Sequence, residues 1–342
     1  MPAAPTGRAT ITDVARQAGV SKATVSRFLN HRDTLLTRDI AARVEAAIKT
    51  LAYTPSPMAQ ALKRGTSRLI GLVVADVTNP FSVAVLRGAE KACQDAGYLV
   101  MLFNLGNQVG REREAIEALS SYQVDGFILN TLGHDSGALE AAARHGKPVV
   151  LVDRRHSEMQ ADFVSLDNDG AVRLGAEHLV AAGYRELLFV SEPLKDVSSR
   201  IEREAAFRAF VAARGAGVKG RSFEATADDS EALEAALRSL RKRAGTRAPA
   251  VLASNALITL RVAASMARLG WQFGKDVGLV GFDDTEWAPL LGPGLTAIAQ
   301  PTDDLGRVAA TCLIERLRGL VMPPRQILLA GRLVPRGSSR PG

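Results

Sequence analysis

Residues 10–30, TITDVARQAGVSKATVSRFLN, hold the local grammar that decides how the chain begins. Thr10-Ile11-Thr12-Asp13 reads as a capping box: the Thr10 hydroxyl accepts from the amide three residues on, and Asp13 suits the positive end of a helix. Val14, Ala15 and Ala18 then form an apolar face, and Gly19 ends the helix. Ser21 caps a second helix two residues later, running from Lys22 to Leu29 with Val25, Phe28 and Leu29 turned inward. Two short helices joined by an Ala-Gly-Val corner make a helix-turn-helix. Thr37 caps a third, Arg38 to Leu51, whose Ile40, Val44, Ala47, Ile48 and Leu51 recur at helical spacing and close a three-helix core.

The charge follows the same boundary. Residues 1–65 carry ten basic and four acidic side chains, a net +6 of the chain's +7, so the remaining 277 residues are nearly neutral. A small basic head on a neutral body is the electrostatic footprint of a nucleic-acid-binding module, because neutralised phosphates release condensed counterions. On the second helix Lys22, Ala23, Ser26 and Arg27 are left facing outward near its N-terminal end, the part such helices push into the major groove. Lys and Arg donate to guanine, small residues admit thymine methyls, and Ser21 or Thr24 can hold phosphates.

With TITDVARQAGVSKATVSRFLN, Ala-Tyr-Thr-Pro at 52–55 and MAQALKRGTSRLIGLVV at 58–74, the chain closely resembles the lactose-repressor (LacI) family of bacterial transcriptional regulators, over nearly its whole length. The resemblance implies DNA contacts from Thr10, Thr12, Ser21, Lys22, Ala23 and Thr24. It adds Ser26, Arg27 and Asn30 from the same head. It also implies that Pro55 to Lys63 is a hinge helix, formed when two subunits sit on an operator, with Ala59 and Leu62 at the DNA and Leu62 wedged into the minor groove. The physics agrees, since so short a segment is marginal as an isolated helix and an apolar wedge kinks the duplex. Pro57 departs from the pattern and limits where that helix can start.

From Arg68 onward strand-like apolar runs alternate with helix-length amphipathic stretches. Strands are expected at Leu69–Ala75, Leu99–Phe103, Gly126–Leu129, Val149–Val152, Leu187–Val190, Val251–Ala253 and Val277–Val280. Helices are expected at Val83–Ala96, Glu112–Tyr122, Ala171–Ala182, Arg200–Arg214, Ser230–Lys242 and Leu257–Leu269. Such alternation argues for parallel sheets covered by helices on both faces, and for two half-size sheets rather than one very long one. The resemblance supplies the arrangement: two α/β lobes like those of periplasmic sugar-binding proteins, each a doubly wound parallel sheet, joined by crossovers near Ser165, Gln300 and Arg325. The expected division is 1–54 for the helix-turn-helix head and 55–66 for the hinge. The first lobe takes 67–165 with 301–325, and the second takes 166–300 with 326–340.

Ligands of such folds lie outside the carboxyl ends of the strands, where the polar residues of interest fall. Asn79-Pro80-Phe81 follows the first strand, Asn130 the third, Asp153-Arg154-Arg155 the fourth, and Asn255 the run ending Ala253-Ser254. Gly281-Phe282-Asp283-Asp284 follows another, Gln300 sits at a crossover, and the resemblance places the family's ligand-gripping arginine at Arg200. The candidate effector site is therefore Asn79, Phe81, Asn130, Asp153, Arg154, Arg200, Asn255, Asp283 and Gln300. Trp287 either stacks on a ligand or lines the cleft rim. Two arginines exceed the needs of a neutral sugar and match a planar carboxylate, so a sugar acid is the expected effector. Within the family, Val152-Asp153-Arg154-Arg155 and SSRIEREAAF resemble regulators of 2-ketogluconate or 2-keto-3-deoxygluconate use. A neutral sugar stays open, with Arg154 paired to Asp153 or Asp167 as a lobe-closing salt bridge.

The expected behaviour is that of a repressor on double-stranded operator DNA, a homodimer by default because the chain's end, RGSSRPG, has no leucine heptads, and released by effector; a corepressor response remains the alternative. A transport component would share the lobes but would need a signal peptide and would leave the basic head unexplained. An enzyme is disfavoured: the five histidines are scattered, Gly133-His134-Asp135-Ser136-Gly137 lacks nucleophile-elbow spacing, and Asp283-Asp284 has no third metal ligand nearby. No cofactor is expected. No apolar run reaches membrane-spanning length and MPAAPTGRAT lacks a signal-peptide core, so the expected compartment is the cytoplasm, without membrane contact. With 342 residues there is length for two or three folded units, and Cys93 and Cys312 read as small buried apolar residues.

Overall fold

A computed structural model of the chain describes residues 9–29, 36–55, 65–108, 110–131, 142, 146–156, 160–195, 197–226 and 229–341. The chain divides into two units, Met1–Ser67 and Arg68–Gly342.

The first unit is built from α1 (Ile11–Ala18), α2 (Lys22–Leu29) and α3 (Arg38–Thr50). The capping box forms: the Thr10 amide donates to Asp13 Oδ2 at 3.0 Å, and the Asp13 amide donates to Thr10 Oγ1 at 3.4 Å. Gly19 closes α1 with φ of 62°, a left-handed conformation that glycine adopts without strain. Thr37 Oγ1 caps α3 by accepting from the Ile40 amide at 3.4 Å. Val14, Val25 and Val44 are fully buried, each contributing roughly 1.5–3 kcal/mol, and Ile11, Phe28, Ile48 and Leu51 pack around them. Asn30, Pro57, Ala59 and Leu62 lie outside the described residues.

The second unit contains two sheets of six described strands each. The first comprises β1 (Leu69–Val74), β2 (Leu99–Asn104), β3 (Gly126–Asn130), β4 (Val149–Val152), β5 (Asp162–Leu166) and β11 (Gln326–Leu329), in the order β11-β5-β4-β3-β1-β2, all parallel. The second comprises β6 (Glu186–Ser191), β7 (Lys219–Glu224), β8 (Ala250–Ala253), β9 (Gly278–Phe282), β10 (Thr296–Ala299) and β12 (Arg332–Val334), in the order β12-β10-β9-β8-β6-β7. It is parallel except that β12 runs antiparallel to β10. Every residue of β3 and β6 is buried, which is why these strands read as unbroken apolar runs rather than alternating ones. The helices between strands are α4 (Pro80–Asp95), α5 (Arg111–Ser121), α6 (Asn168–Ala181), α7 (Ser198–Ala213), α8 (Ser230–Ala244), α9 (Ala256–Arg268) and α10 (Thr302–Leu317). None of the described helices is long and apolar enough to cross a membrane. Cys93 and Cys312 are both buried in the core of the first lobe.

The chain passes between the two sheets after β5 and after β10. The third passage does not lie at Arg325: Gln326–Leu329 pairs in parallel with Phe163–Leu166, so the first lobe keeps the chain to Leu329 and the crossing is Ala330-Gly331. The reason is an anchor just before β11. Asp162, with 1% side-chain exposure, accepts from Arg316 Nε at 3.1 Å and Nη2 at 2.9 Å. It also accepts from the Arg325 amide and Arg325 Nη2, both at 2.8 Å. Burial alone would raise this carboxyl, but the two guanidinium groups hold it well below the ordinary carboxylate range.

α10, which the sequence reading left out, packs directly on α4. A Cβ on Gly88 would lie 2.0 Å from the Asp303 carbonyl oxygen, and one on Gly306 would lie 2.0 Å from that of Val85. The two backbones are in contact, and only glycine permits it. Arg87 clamps the same crossing by donating to both carboxylate oxygens of Asp303, from Nε at 2.7 Å and Nη2 at 2.6 Å.

Candidate functional site

In the first unit the polar face of α2 is set by what its other face must do. Val25 is buried, so Lys22, Ala23 and Arg27 are exposed and Thr24 and Ser26 half-buried. The Ser21 hydroxyl accepts from the Thr24 amide at 3.2 Å, and the two hydroxyls lie 2.9 Å apart. The first turn of α2 carries no acidic residue, so its positive end and Lys22 add in sign and favour an anion such as a phosphate. Thr10 is exposed, with its hydroxyl donating to Asp13 Oδ2 at 2.7 Å, and Thr12 is half-buried. A narrow basic face of small residues on a rigid three-helix base has the chemistry to enter a major groove.

In the second unit, residues from both lobes meet in one pocket. Its walls are Asn79, Phe81, Asp153, Arg154, Ser199, Arg200, Arg203, Ser254, Asn255, Asp283 and Gln300. Of the nine expected effector residues, eight are there. Asn130 is not: it is 3% exposed, and its amide donates to the Val152 carbonyl at 3.1 Å, tying β3 to β4. Trp287 lines a neighbouring groove of about 520 Å³ that shares Phe81, Asp283 and Gln300 with the pocket.

Strand ends aim the acidic groups. Asp153 follows β4 with φ of 65°, and Asp283 follows β9 with φ of 70°, both in the left-handed region that costs a non-glycine residue energy. Asp283 Oδ1 accepts from Gln300 Nε2 at 2.7 Å and Oδ2 from the Ala256 amide at 3.0 Å. Burial pushes the Asp283 carboxyl above its ordinary range, with Arg203 pulling it back. Arg154 is paired with Asp153, Nε to Oδ2 at 3.5 Å, and donates from Nη1 to the Thr131 carbonyl at 3.1 Å. Asp167, the other partner considered for it, instead caps α6 by accepting from the Gly170 amide at 3.0 Å.

Sequence reasoning missed Ser199, Arg203 and Ser254. Arg203 is the centre of the site: 6% exposed, it donates from Nε to Asn168 Oδ1 at 2.8 Å, from Nη1 to the Ser254 carbonyl at 2.6 Å and from Nη2 to Gln300 Oε1 at 3.2 Å. Its guanidinium carbon lies 4.4 Å from the centre of the Phe282 ring. Burial lowers its proton affinity, against which Asp153 and Asp283 act. The signal was available: Arg203 sits three residues after Arg200, one helical turn along the same face of α7. Arg200 lines the pocket too, but its guanidinium is already occupied, by Glu192 Oε2 at 2.9 Å and the Pro193 carbonyl at 2.8 Å. Among the described residues no group of three His, Cys, Asp or Glu is placed to hold a metal.

Comparison with known proteins agrees with both halves. A model of bacterial regulatory proteins of the lacI family matches residues 10–56, and one of a periplasmic binding protein-like domain matches residues 176–339. Over 332 residues the chain is 46% identical to the HTH-type transcriptional regulator PtxS of Pseudomonas plecoglossicida, covering 97% of this chain and 96% of that one. It is 39% identical to the HTH-type transcriptional regulator KdgR of Bacillus subtilis, covering 97% and 98%. The lac repressor dimer bound to operator and an anti-inducer superposes with a TM-score of 0.82 at 26% identity, covering 97% of this chain and 99% of that one.

Proposed function

The chain belongs to the lacI family of bacterial regulatory proteins, and on that premise we propose a transcriptional repressor of sugar-acid catabolism that leaves its operator when a sugar acid, 2-ketogluconate first, binds the interlobe pocket. The observation that carries the effector assignment is the meeting of Arg154, Arg200 and Arg203 in one small polar pocket. Guanidinium groups recognise a planar carboxylate through paired, charge-assisted hydrogen bonds. The buried carboxylates of Asp153 and Asp283 and the amides of Asn79, Asn255 and Gln300 suit sugar hydroxyls.

Binding changes DNA affinity only if the ligand prefers one arrangement of the lobes. The pocket draws on both lobes, so a ligand there biases their relative placement. Two copies of the chain form a homodimer, with exposed Val83, Leu99 and Leu102 of the first lobe offering apolar surface for the contact. The dimer sets two heads on a near-palindromic operator, each with α2 in a major groove, and the hinge with Leu62 at the central step. Lobe rearrangement then alters the spacing of heads and hinges. The protein acts on DNA in the cytoplasm and performs no chemistry on its ligand.

The test is fluorescence anisotropy of the full-length protein on DNA from its own promoter neighbourhood, titrated with 2-ketogluconate, 2-keto-3-deoxygluconate, gluconate and ribose. Release by a keto acid is expected. Release by ribose alone refutes the acid reading, and tighter binding on addition of a keto acid refutes induction in favour of corepression.

A further inference from the structure

The pocket's free space is only about 30 Å³, enough for a water molecule and far too little for a six-carbon acid. Most of its polar groups are held by hydrogen bonds to neighbouring groups, the buried Arg154 Nε and Ser254 Oγ excepted, and one of the partners sits differently from the rest. Glu192 is the first residue beyond β6, at the carboxyl end of the strand between β8 and β7, where the helices that follow diverge. Its Oε2 receives two donors from two separate elements: Arg200 Nη2 on α7 at 2.9 Å, and Asn255 Nδ2 at the start of α9 at 2.7 Å. The Asn255 amide cannot turn away, because its Oδ1 accepts from the Ile258 amide at 2.9 Å. The two donors therefore converge on a point that a carboxylate oxygen fills.

Charge counts point the same way. Arg154, Arg200 and Arg203 face Asp153, Asp283 and Glu192, three against three. A sugar acid added to that set brings an unmatched negative charge. The side chain of Glu192 is 18% exposed and that of its partner Arg200 16%, against 9% for Asp153, so Glu192 is the carboxylate with a route to water. If it leaves, the site keeps one positive charge in excess, which a monocarboxylate matches.

We infer that Glu192 is an internal stand-in for the effector's carboxylate: it holds the Arg200 and Asn255 donors in the effector-free protein, and an acid must displace it to bind. Glu192 thus sets how much acid is needed for release and makes the site select for acids over their neutral counterparts. This rests on the sugar-acid reading of the pocket.

The test uses isothermal titration of the full-length protein with 2-ketogluconate and with D-fructose, the same carbon skeleton carrying a hydroxymethyl group where the acid has its carboxylate. Glu192→Gln removes the competing charge. It is expected to tighten 2-ketogluconate by about tenfold, equivalent to ~1.4 kcal/mol, with fructose binding changed less than about twofold. Glu192→Ala, which lacks the acceptor as well, shifts in the same direction, and thermal melts of both variants establish that they are folded. Weaker binding of 2-ketogluconate to both folded variants overturns the inference, because Glu192 then positions Arg200 or touches the effector itself. Equal tightening of acid and fructose also overturns it, in favour of a general loosening of the pocket. If the unaltered protein binds fructose but no acid, the effector assignment itself fails, and that result is read without any variant.

Discussion

Replacing Asp162 by Asn tests the anchor that keeps β11 in the first lobe. The asparagine keeps one oxygen for the Arg325 amide and one guanidinium nitrogen, but it sets an NH2 group against the two remaining donors, Arg316 Nε and Arg325 Nη2. Two hydrogen bonds to a charged group are lost, each worth about 1.5–3 kcal/mol when buried. The arginine side chains are 18% and 21% exposed, so water recovers part of the loss and the lower end, about 3 kcal/mol, is the expected cost. For a unit of this size each kcal/mol moves Tm by about 2–4 °C, giving a fall of about 6–12 °C at pH 7 in scanning calorimetry. The pH dependence has a definite sign. The folded carboxyl is held below its unfolded value near ~3.9, so its contribution is complete above that pH and fades as pH drops towards the depressed folded value. The gap between the original protein and Asp162→Asn is therefore flat from neutral pH to about pH 5 and narrows below about pH 4. A gap of less than about 2 °C at pH 7, or one that widens on acidification, refutes the account.

Four further outcomes can be measured. Lys22→Ala lowers operator affinity and reduces the slope of log affinity against log salt by about one, measured by anisotropy across salt; an unchanged slope removes Lys22 from the phosphate contacts. Leu62→Ala weakens operator binding by about tenfold in the same assay while effector affinity from isothermal titration stays put, and equal loss of both indicates misfolding instead. Arg203→Lys keeps the charge but loses the fork that spans Asn168, Ser254 and Gln300, so effector affinity falls about 10–100-fold with operator affinity within about twofold; full effector affinity contradicts the central place given to Arg203. Gly306→Ala drives a methyl into the Val85 carbonyl and costs about 1–3 kcal/mol or more in urea unfolding, whereas a neutral result means that α4 and α10 can part freely.

The head was legible almost residue by residue, because caps, a left-handed glycine and helical spacing act over three or four positions. α3 ends at Thr50, one residue before the expected Leu51, and Ile40, expected in the core, is half-buried outside the cluster around Val14, Val25 and Val44. The body was legible where a strand is an apolar run. β5, β7, β10, β11 and β12 escaped: β7, β11 and β12 are sheet edges whose residues are exposed or half-buried, and the buried β5 and β10, DFVSL and TAIA, are interrupted by polar or small residues. α10 escaped because Gly306 in its interior reads as a break. Its purpose is visible only against the backbone of α4. In the pocket, Asn79 and Asn255 are both wall and helix cap, so the structural and functional readings of these residues hold together. Asn130 has the right residue type at the right strand end, but its register turns it into the sheet. Glu192 carried no signal, since its role depends on where α7 and α9 point their donors.

The three crossings between the lobes also bear on how effector news can travel. They do not run as separate threads: a Cβ on Gly331 would sit 3.2 Å from Ile298, just before the second passage, and 3.3 Å from Leu166, where the first begins. Bound side by side, they behave like the leaf of a door hinge, which swings and twists but resists sliding. One lobe can swing relative to the other without scrambling the sheets, so a ligand held between the lobes acts on all three crossings together.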